Sequence, residues 1–319
     1  MKNRGAVVTA VLIFVSLLIF PEAASDGARY GLNICAEVII PALFPFFVAT
    51  NFISELGIMR YIGKAMSPFS SRLFKVSGNG GTAFIIGVTG GYPLGAGYIA
   101  NLRRNNEICS DEASRLLVFC NNSGPAFIIG AVGVGVFHSS AAGILLYAAH
   151  ILSAAIYGVL FSKTDFTGAE TAISAEKHSP VSLALTNAVK NSVSASISVC
   201  GFVVAFSILT GILDVCGVFT QLAGLISAKL CTELHWSRAL ISGIFELGNG
   251  IGAMSGLDIT PLNLALAAFL LGWGGISVHF QSFSMISGTD IKTARYIIGR
   301  FFIALTGAVI ALLSAAILC

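Results

Sequence analysis

Two short polar runs and one acid hold the residues through which this chain could do chemistry. Asn121-Asn122-Ser123-Gly124-Pro125 interrupts one apolar segment, and Gly90-Gly91-Tyr92-Pro93 interrupts the segment before it. Pro125 has no amide hydrogen and clashes with the preceding turn, which frees backbone carbonyls near Asn121, and Gly124 permits the unwinding. In hydrocarbon, freed backbone groups must be satisfied by protein, water or ligand. With the Asn and Ser side chains they make an oxygen-rich pocket, suited to a dehydrated small cation or to the hydroxyls and amides of a polar solute. The same residues can instead pin neighbouring helices. At the earlier break, glycines allow close backbone approach, Pro93 forces a break or a hairpin tip, and Tyr92 offers a ring face and a hydroxyl. This break suits a gate or part of a site, with tight helix contact as the plain alternative.

Glu246 is the one acid of its apolar segment and is followed by Leu247-Gly248-Asn249-Gly250. An ionisable group at membrane depth is costly and is a functional hypothesis by default. Glu246 can carry a proton or a cation; the structural alternative is a carboxyl bonded to backbone freed by the glycines. Gln281 and His279 follow a third interruption, Trp273-Gly274-Gly275, and Glu37 is a further acid in an apolar stretch. The candidate binding set is Gly90, Gly91, Tyr92, Pro93, Asn121, Asn122, Ser123, Pro125, Glu246, Asn249 and Gln281. No P-loop, HExxH, G-x-S-x-G or nucleophile–base pair is visible, so no catalytic residue is assigned and a non-enzymatic protein is expected. The seven cysteines show no CxxC and no metal-ligand spacing. No cofactor or structural metal is expected; a coupling ion would be Na+ or H+.

Composition says what must position these residues. Hydrophobic residues make up 55% and charged residues 10% of the 319, and mean hydropathy is +0.87. Soluble domains carry about 25% charged residues, so the chain is an all-α, multi-pass membrane protein with the bilayer as its main partner. Its net charge of +3 is spread over loops, which speaks against nucleic-acid binding. Apolar segments recur at about membrane-crossing length: Ala6–Phe20, Leu32–Leu56, Thr82–Leu102, Leu116–Phe137, Ala141–Phe161, Val193–Leu213, Ala239–Gly256, Leu262–Ile286 and Ile297–Leu318. The first reads equally as a signal peptide or as a membrane helix. Gly57–Val76 is basic with apolar residues at helical spacing, as in an interfacial amphipathic helix, and Asp214–Ser237 is a connection of the same kind. Residues 162–190 form the one long polar linker.

Offsetting the chain by about 160 residues aligns its halves weakly, with each Gly-interrupted segment falling on another. Paired interruptions in corresponding positions mark the binding site of many secondary transporters. The expected architecture is therefore one membrane domain over 1–319 with roughly eight to ten crossing or re-entrant segments. Residues 1–31 would be an N-terminal helix, 32–161 one half, and 191–319 the other. Whether Thr82–Leu102 and its counterpart cross or re-enter stays open at this level.

Phe20–Phe47, GGYPLGAGYIANLRRNNEIC (Gly90–Cys109), FCNNSGPAFIIGAVGVGVF (Phe119–Phe137) and FELGNGI (Phe245–Ile251) resemble the YlbJ family of sporulation integral membrane proteins. That family belongs with the nucleoside-recognition, or Gate-domain, proteins and shares a fold element with concentrative nucleoside transporters and ferrous-iron transport proteins. The resemblance implies a role in spore formation, particularly cortex assembly. It also implies a retained N-terminal helix and residence in a membrane of the sporulating cell, with the outer forespore membrane as candidate. Transport or gating of a small polar solute or ion is the leading expectation. A non-transporting scaffold and a nucleoside–cation symporter are the alternatives, and an oligomer is compatible with each.

Overall fold

The computed structural model describes residues 4–162 and 180–318, and every regular element among them is helical. α1 (Arg4–Ile19) is an apolar helix with none of its residues buried against the protein. Pro21 then starts α2 (Pro21–Ile34), at a position where its missing N–H would be unpaired anyway. One π-helical turn, Cys35–Ile39, joins α2 to α3 (Ile40–Glu55), so Pro21–Glu55 is a continuous helical span of 35 residues. The boundary expected at residue 31 falls inside it.

α4 (Met59–Leu73) is the expected amphipathic helix: Met59, Gly63 and Ser70 face inward while Lys64 and Arg72 face out. α5 (Gly78–Gly90), capped by Ser77, and α6 (Leu94–Arg104) pack against each other as a hairpin. Their 13 and 11 residues reach only about 20 and 17 Å, short of the roughly 30 Å of hydrocarbon. Thr82–Leu102 is therefore two short arms of a hairpin, the form that the re-entrant alternative requires, and not one crossing helix. α7 (Ser110–Cys120) and a π-helical segment, Ala126–Val136, are separated by the Asn121–Gly124 break, and α8 (Ser140–Leu160) packs back along both.

The same succession follows again. α9 (Val181–Val215) is a long span and α10 (Val218–Leu230) a short surface helix. α11 (Leu234–Phe245) and α12 (Leu247–Gly252) form a second hairpin. α13 (Pro261–Trp273) and α14 (Gly275–Met285) are a span broken at Gly274, and α15 (Thr293–Leu318) closes the half. Among the described residues, five stretches are long and apolar enough to cross a membrane: Pro21–Glu55, Ser140–Leu160, Val181–Val215, Pro261–Met285 and Thr293–Ala316.

Asp214–Ser237, read as a connection of the same kind as Gly57–Val76, likewise holds a surface helix: it contains all of α10, whose Phe219 and Ala223 pack against Ile241, and the start of α11. Ala239–Gly256, the counterpart left open with Thr82–Leu102, turns at Glu246, which leaves the helical conformation at φ −140°, ψ 121°. One expectation needs correction. Residues 181–190, read as linker, already belong to α9, whose Ala184 and Ala188 are fully buried. The remainder of that linker, 163–179, lies outside the described residues.

α15 joins the halves. It packs along α13 of its own half and against α7 and α8 of the other. Its Tyr296 and Ile303 enter the apolar core built on Leu116, Leu117, Val118 and Phe119, and its Ala311 enters the core built on Leu146 and Leu270.

Candidate functional site

In each half the hairpin tip rests on the break of the following span. At the first tip Gly91 sits at φ +80°, and a Cβ there would lie 2.9 Å from the Gly124 amide nitrogen. A side chain fits neither the torsion nor the space. Behind the tip, the Cys120 carbonyl fills the room left by missing side chains on both arms: a Cβ on Gly87 would lie 1.6 Å from it and one on Gly95 2.2 Å. In the second half, a Cβ on Gly275 would lie 3.0 Å from the Leu247 amide. Hairpin tip against broken helix is thus the repeated unit.

These units border a cavity of about 50 Å³, lined from one half by Tyr92, Ser123, Gly124 and Phe127 and from the other by Glu246, Leu247, Gly248, Val278 and Gln281. Ile39 and Leu43 of the first long span and Val199 and Val203 of α9 complete the wall. A water needs roughly 10–15 Å³ of such space, so the cavity has room for a few waters or one small ion. A larger recess of about 550 Å³ shares Phe127 and Gly248 with it and is lined by Glu37, Pro41, Gly130 and Ile251. That volume lies in the range of small-molecule sites, roughly 300–1,000 Å³. Both π-helical stretches contribute to these walls, a common placement for such distortions.

Glu246 is 2% exposed, and its Oε2 accepts a 2.7 Å hydrogen bond from the Asn249 amide as the N-cap of α12. Among the described residues no cationic side chain pairs with it. Gln281 is also buried; its Nε2 donates to Ser277 Oγ at 3.3 Å. Ser123 donates its backbone N–H to His150 Nε2 at 3.1 Å. The Tyr92 hydroxyl donates to the Leu271 carbonyl at 3.0 Å, tying the first hairpin tip to α13.

Other candidates turn outward from the cavity. Asn121 donates through Nδ2 to Ser282 Oγ (2.8 Å) and Tyr296 Oη (3.1 Å), and its Oδ1 accepts from the Ala96 amide. Asn122 donates to the Phe119 carbonyl at 2.7 Å. Asn249 accepts from Ser207 Oγ at 3.1 Å and donates to Thr210 Oγ1 at 2.8 Å, which fastens α12 to α9. Gly90 and Pro93 shape the tip, and Pro125 starts the helical segment after the break. His279 stands with its ring 4.3 Å from Trp273 and 5.2 Å from Tyr296, centroid to centroid.

Arg300 is a buried charged residue outside the sequence motifs. It is 0% exposed. Its Nη1 donates to the Asn121 carbonyl (3.0 Å), Asn122 Oδ1 (3.2 Å) and the Val118 carbonyl (3.4 Å), and its Nη2 donates to the Tyr92 hydroxyl and the Leu271 carbonyl. A signal existed: an arginine within the apolar run Tyr296–Leu318 falls under the same rule that singled out Glu246.

Residues 36–141 match the Gate family, described as nucleoside recognition. Over 342 aligned positions the chain is 33% identical to the sporulation integral membrane protein YlbJ of Bacillus subtilis (strain 168), covering 98% of this chain and 83% of that one. Among solved structures, substituted forms of the nucleoside transporter CNTnw in two intermediate states each superpose with a TM-score of 0.62, at 13% and 15% identity, covering 98% of this chain and 86% of theirs. An outward-facing CNTnw structure gives 0.54 at 12% identity, covering 99% and 86%. At such identities the likeness is one of fold.

Proposed function

The chain belongs to the YlbJ family of sporulation integral membrane proteins, and from that premise we propose that it is a carrier of the sporulating cell. It moves a small polar solute or ion through the cavity between its halves. One observation carries this reading: Tyr92, Ser123 and Gly124 from one half and Glu246, Gly248 and Gln281 from the other line the same cavity. Two hairpin tips laid on two broken helices give movable parts on either side of it, as alternating access requires. The larger recess beyond Phe127 and Gly248 admits the solute, and the small cavity is its closed end in this conformation. Glu246 carries exchangeable charge, as a proton or with a bound cation, because it is the acid that lines the cavity. The solute serves the spore envelope, with cortex assembly as the dependent step and the outer forespore membrane as the site of action.

The test uses Glu246→Gln, introduced at the native locus of a spore-forming host, with protein abundance and heat-resistant spore count measured together. Normal abundance with a loss of heat-resistant spores of tenfold or more is the expected result. Normal spores at normal abundance refute the carrier role of Glu246. Asn121 and Asn122, whose amides are spent on helix contacts, support a scaffold instead; under it spore counts fall only in proportion to abundance.

A further inference from the structure

We propose that Arg300 is a tethered cation that fills the oxygen cluster at the first break, so that no sodium ion is held there. The inference deepens the carrier reading above by naming what its ion-binding machinery lacks. A break of this kind gathers oxygens for a cation in two ways, through unwound carbonyls and through the negative ends of half-helices. Both are present. The carbonyls of Val118 and Asn121 come from the C-terminal end of α7, and that of Leu271 from the last turn of α13. Two helix C-termini, one from each half, therefore point their partial negative charge at one spot, with Asn122 Oδ1 beside them.

The guanidinium occupies that spot. Its two terminal nitrogens reach all four oxygens at 3.0–3.4 Å, as well as the Tyr92 hydroxyl of the hairpin tip, and its carbon lies 5.3 Å from the Tyr92 ring centroid. Arginine is a cation in proteins, and its covalent tether keeps this one in place. A sodium ion would have to share the same oxygens with a fixed like charge. The residues at the first break thus do not fit a sodium site. What they fit is a permanent clamp that holds hairpin tip, broken helix and α13 in one unit. Exchange of charge is left to Glu246, which lines the cavity where Arg300 does not.

The full-length protein in detergent is unfolded thermally with NaCl replaced stepwise by choline chloride at constant ionic strength. Wild type, Glu246→Gln, Arg300→Lys and Arg300→Gln are compared. Glu246→Gln removes the cavity's own charge, so a sodium effect surviving in it reports on the first break. Its midpoint is expected to move by less than about 1 °C between 0 and 150 mM Na+, and Arg300→Lys is expected to respond as wild type does. Arg300→Gln uncovers the four oxygens, and Na+ is expected to raise its midpoint by roughly 2–4 °C more than wild type's. A saturable, sodium-specific rise in Glu246→Gln overturns the proposal, as does a folded Arg300→Gln that gains no sodium response. Should Arg300→Gln fail to fold, the Glu246→Gln result decides alone. None of these readings requires transport, so a chain that carries no solute leaves this assignment standing while removing the carrier reading.

Discussion

Gly91 and Gly124 meet backbone to backbone. A Cβ on the first would lie 2.9 Å from the amide nitrogen of the second, and a Cβ on the second would lie 3.3 Å from the amide nitrogen of the first. The contact joins the tip of the α5–α6 hairpin to the break after α7, and it is where the first half closes its side of the cavity. Its tightness makes the two glycines the most sensitive test of whether the tip must seat on the break.

Gly91→Ala adds both a positive-φ penalty and a collision with backbone, and should cost roughly 1–3 kcal/mol. Gly130, with nothing within 4 Å of its Cβ position, serves as the control. Thermal unfolding of Gly91→Ala and Gly130→Ala in detergent should show a drop of several degrees for the first alone. Equal midpoints would mean that the tip does not seat as described.

Glu246 does two things that substitution can separate. Its side-chain oxygen caps α12 through the Asn249 amide, a role that Gln can fill and Ala cannot. Loss of an N-cap costs about 1 kcal/mol. Glu246→Ala should therefore lower the unfolding midpoint, while Glu246→Gln should leave it within about 2 °C of wild type.

Asn249 has a different part from its neighbour. It bonds Ser207 and Thr210 of α9, and its removal leaves buried hydroxyls without those partners, at a cost of roughly 1–3 kcal/mol. Asn249→Ala should reduce abundance and stability, with spore yield following abundance. A stable Asn249→Ala protein that supports no spores would move this residue from the frame to the site.

Outside the membrane segments, Arg103 grips Asp290 with two hydrogen bonds of 2.8 and 3.0 Å. This guanidinium holds the Asp290 carboxyl down at about 2. The depressed value means that the stability from this pair is fully present above the ordinary aspartate range, near 3.9, and is lost as pH falls through about 2. A carboxyl titration of Asp290 followed by NMR in micelles should find its midpoint near 2, and Arg103→Gln should return it to the ordinary range.

Much of this protein is written locally. Apolar length and a dearth of charge determined that it lives in a membrane, because no other solvent tolerates that composition. Pro125, Gly124, Gly91 and Pro93 determined where helices break, because those residues act on their own turn of backbone. The single acid of an apolar run marked Glu246 for the same reason. Tertiary structure decided what the breaks touch. The type and spacing of Asn121 and Asn122 do not say whether their amides face a cavity or a neighbouring helix; contact with Ser282, Tyr296 and Arg300, far along the chain, turned them to helix and clamp. The α5–α6 hairpin was settled by arm length together with mutual contact, since apolar residues alone suit both a crossing helix and a hairpin. Arg300 shows the division most plainly. Its residue type announces a buried charge in an apolar helix, but only the fold reveals that the carbonyl ends of α7 and α13 converge on it from opposite halves.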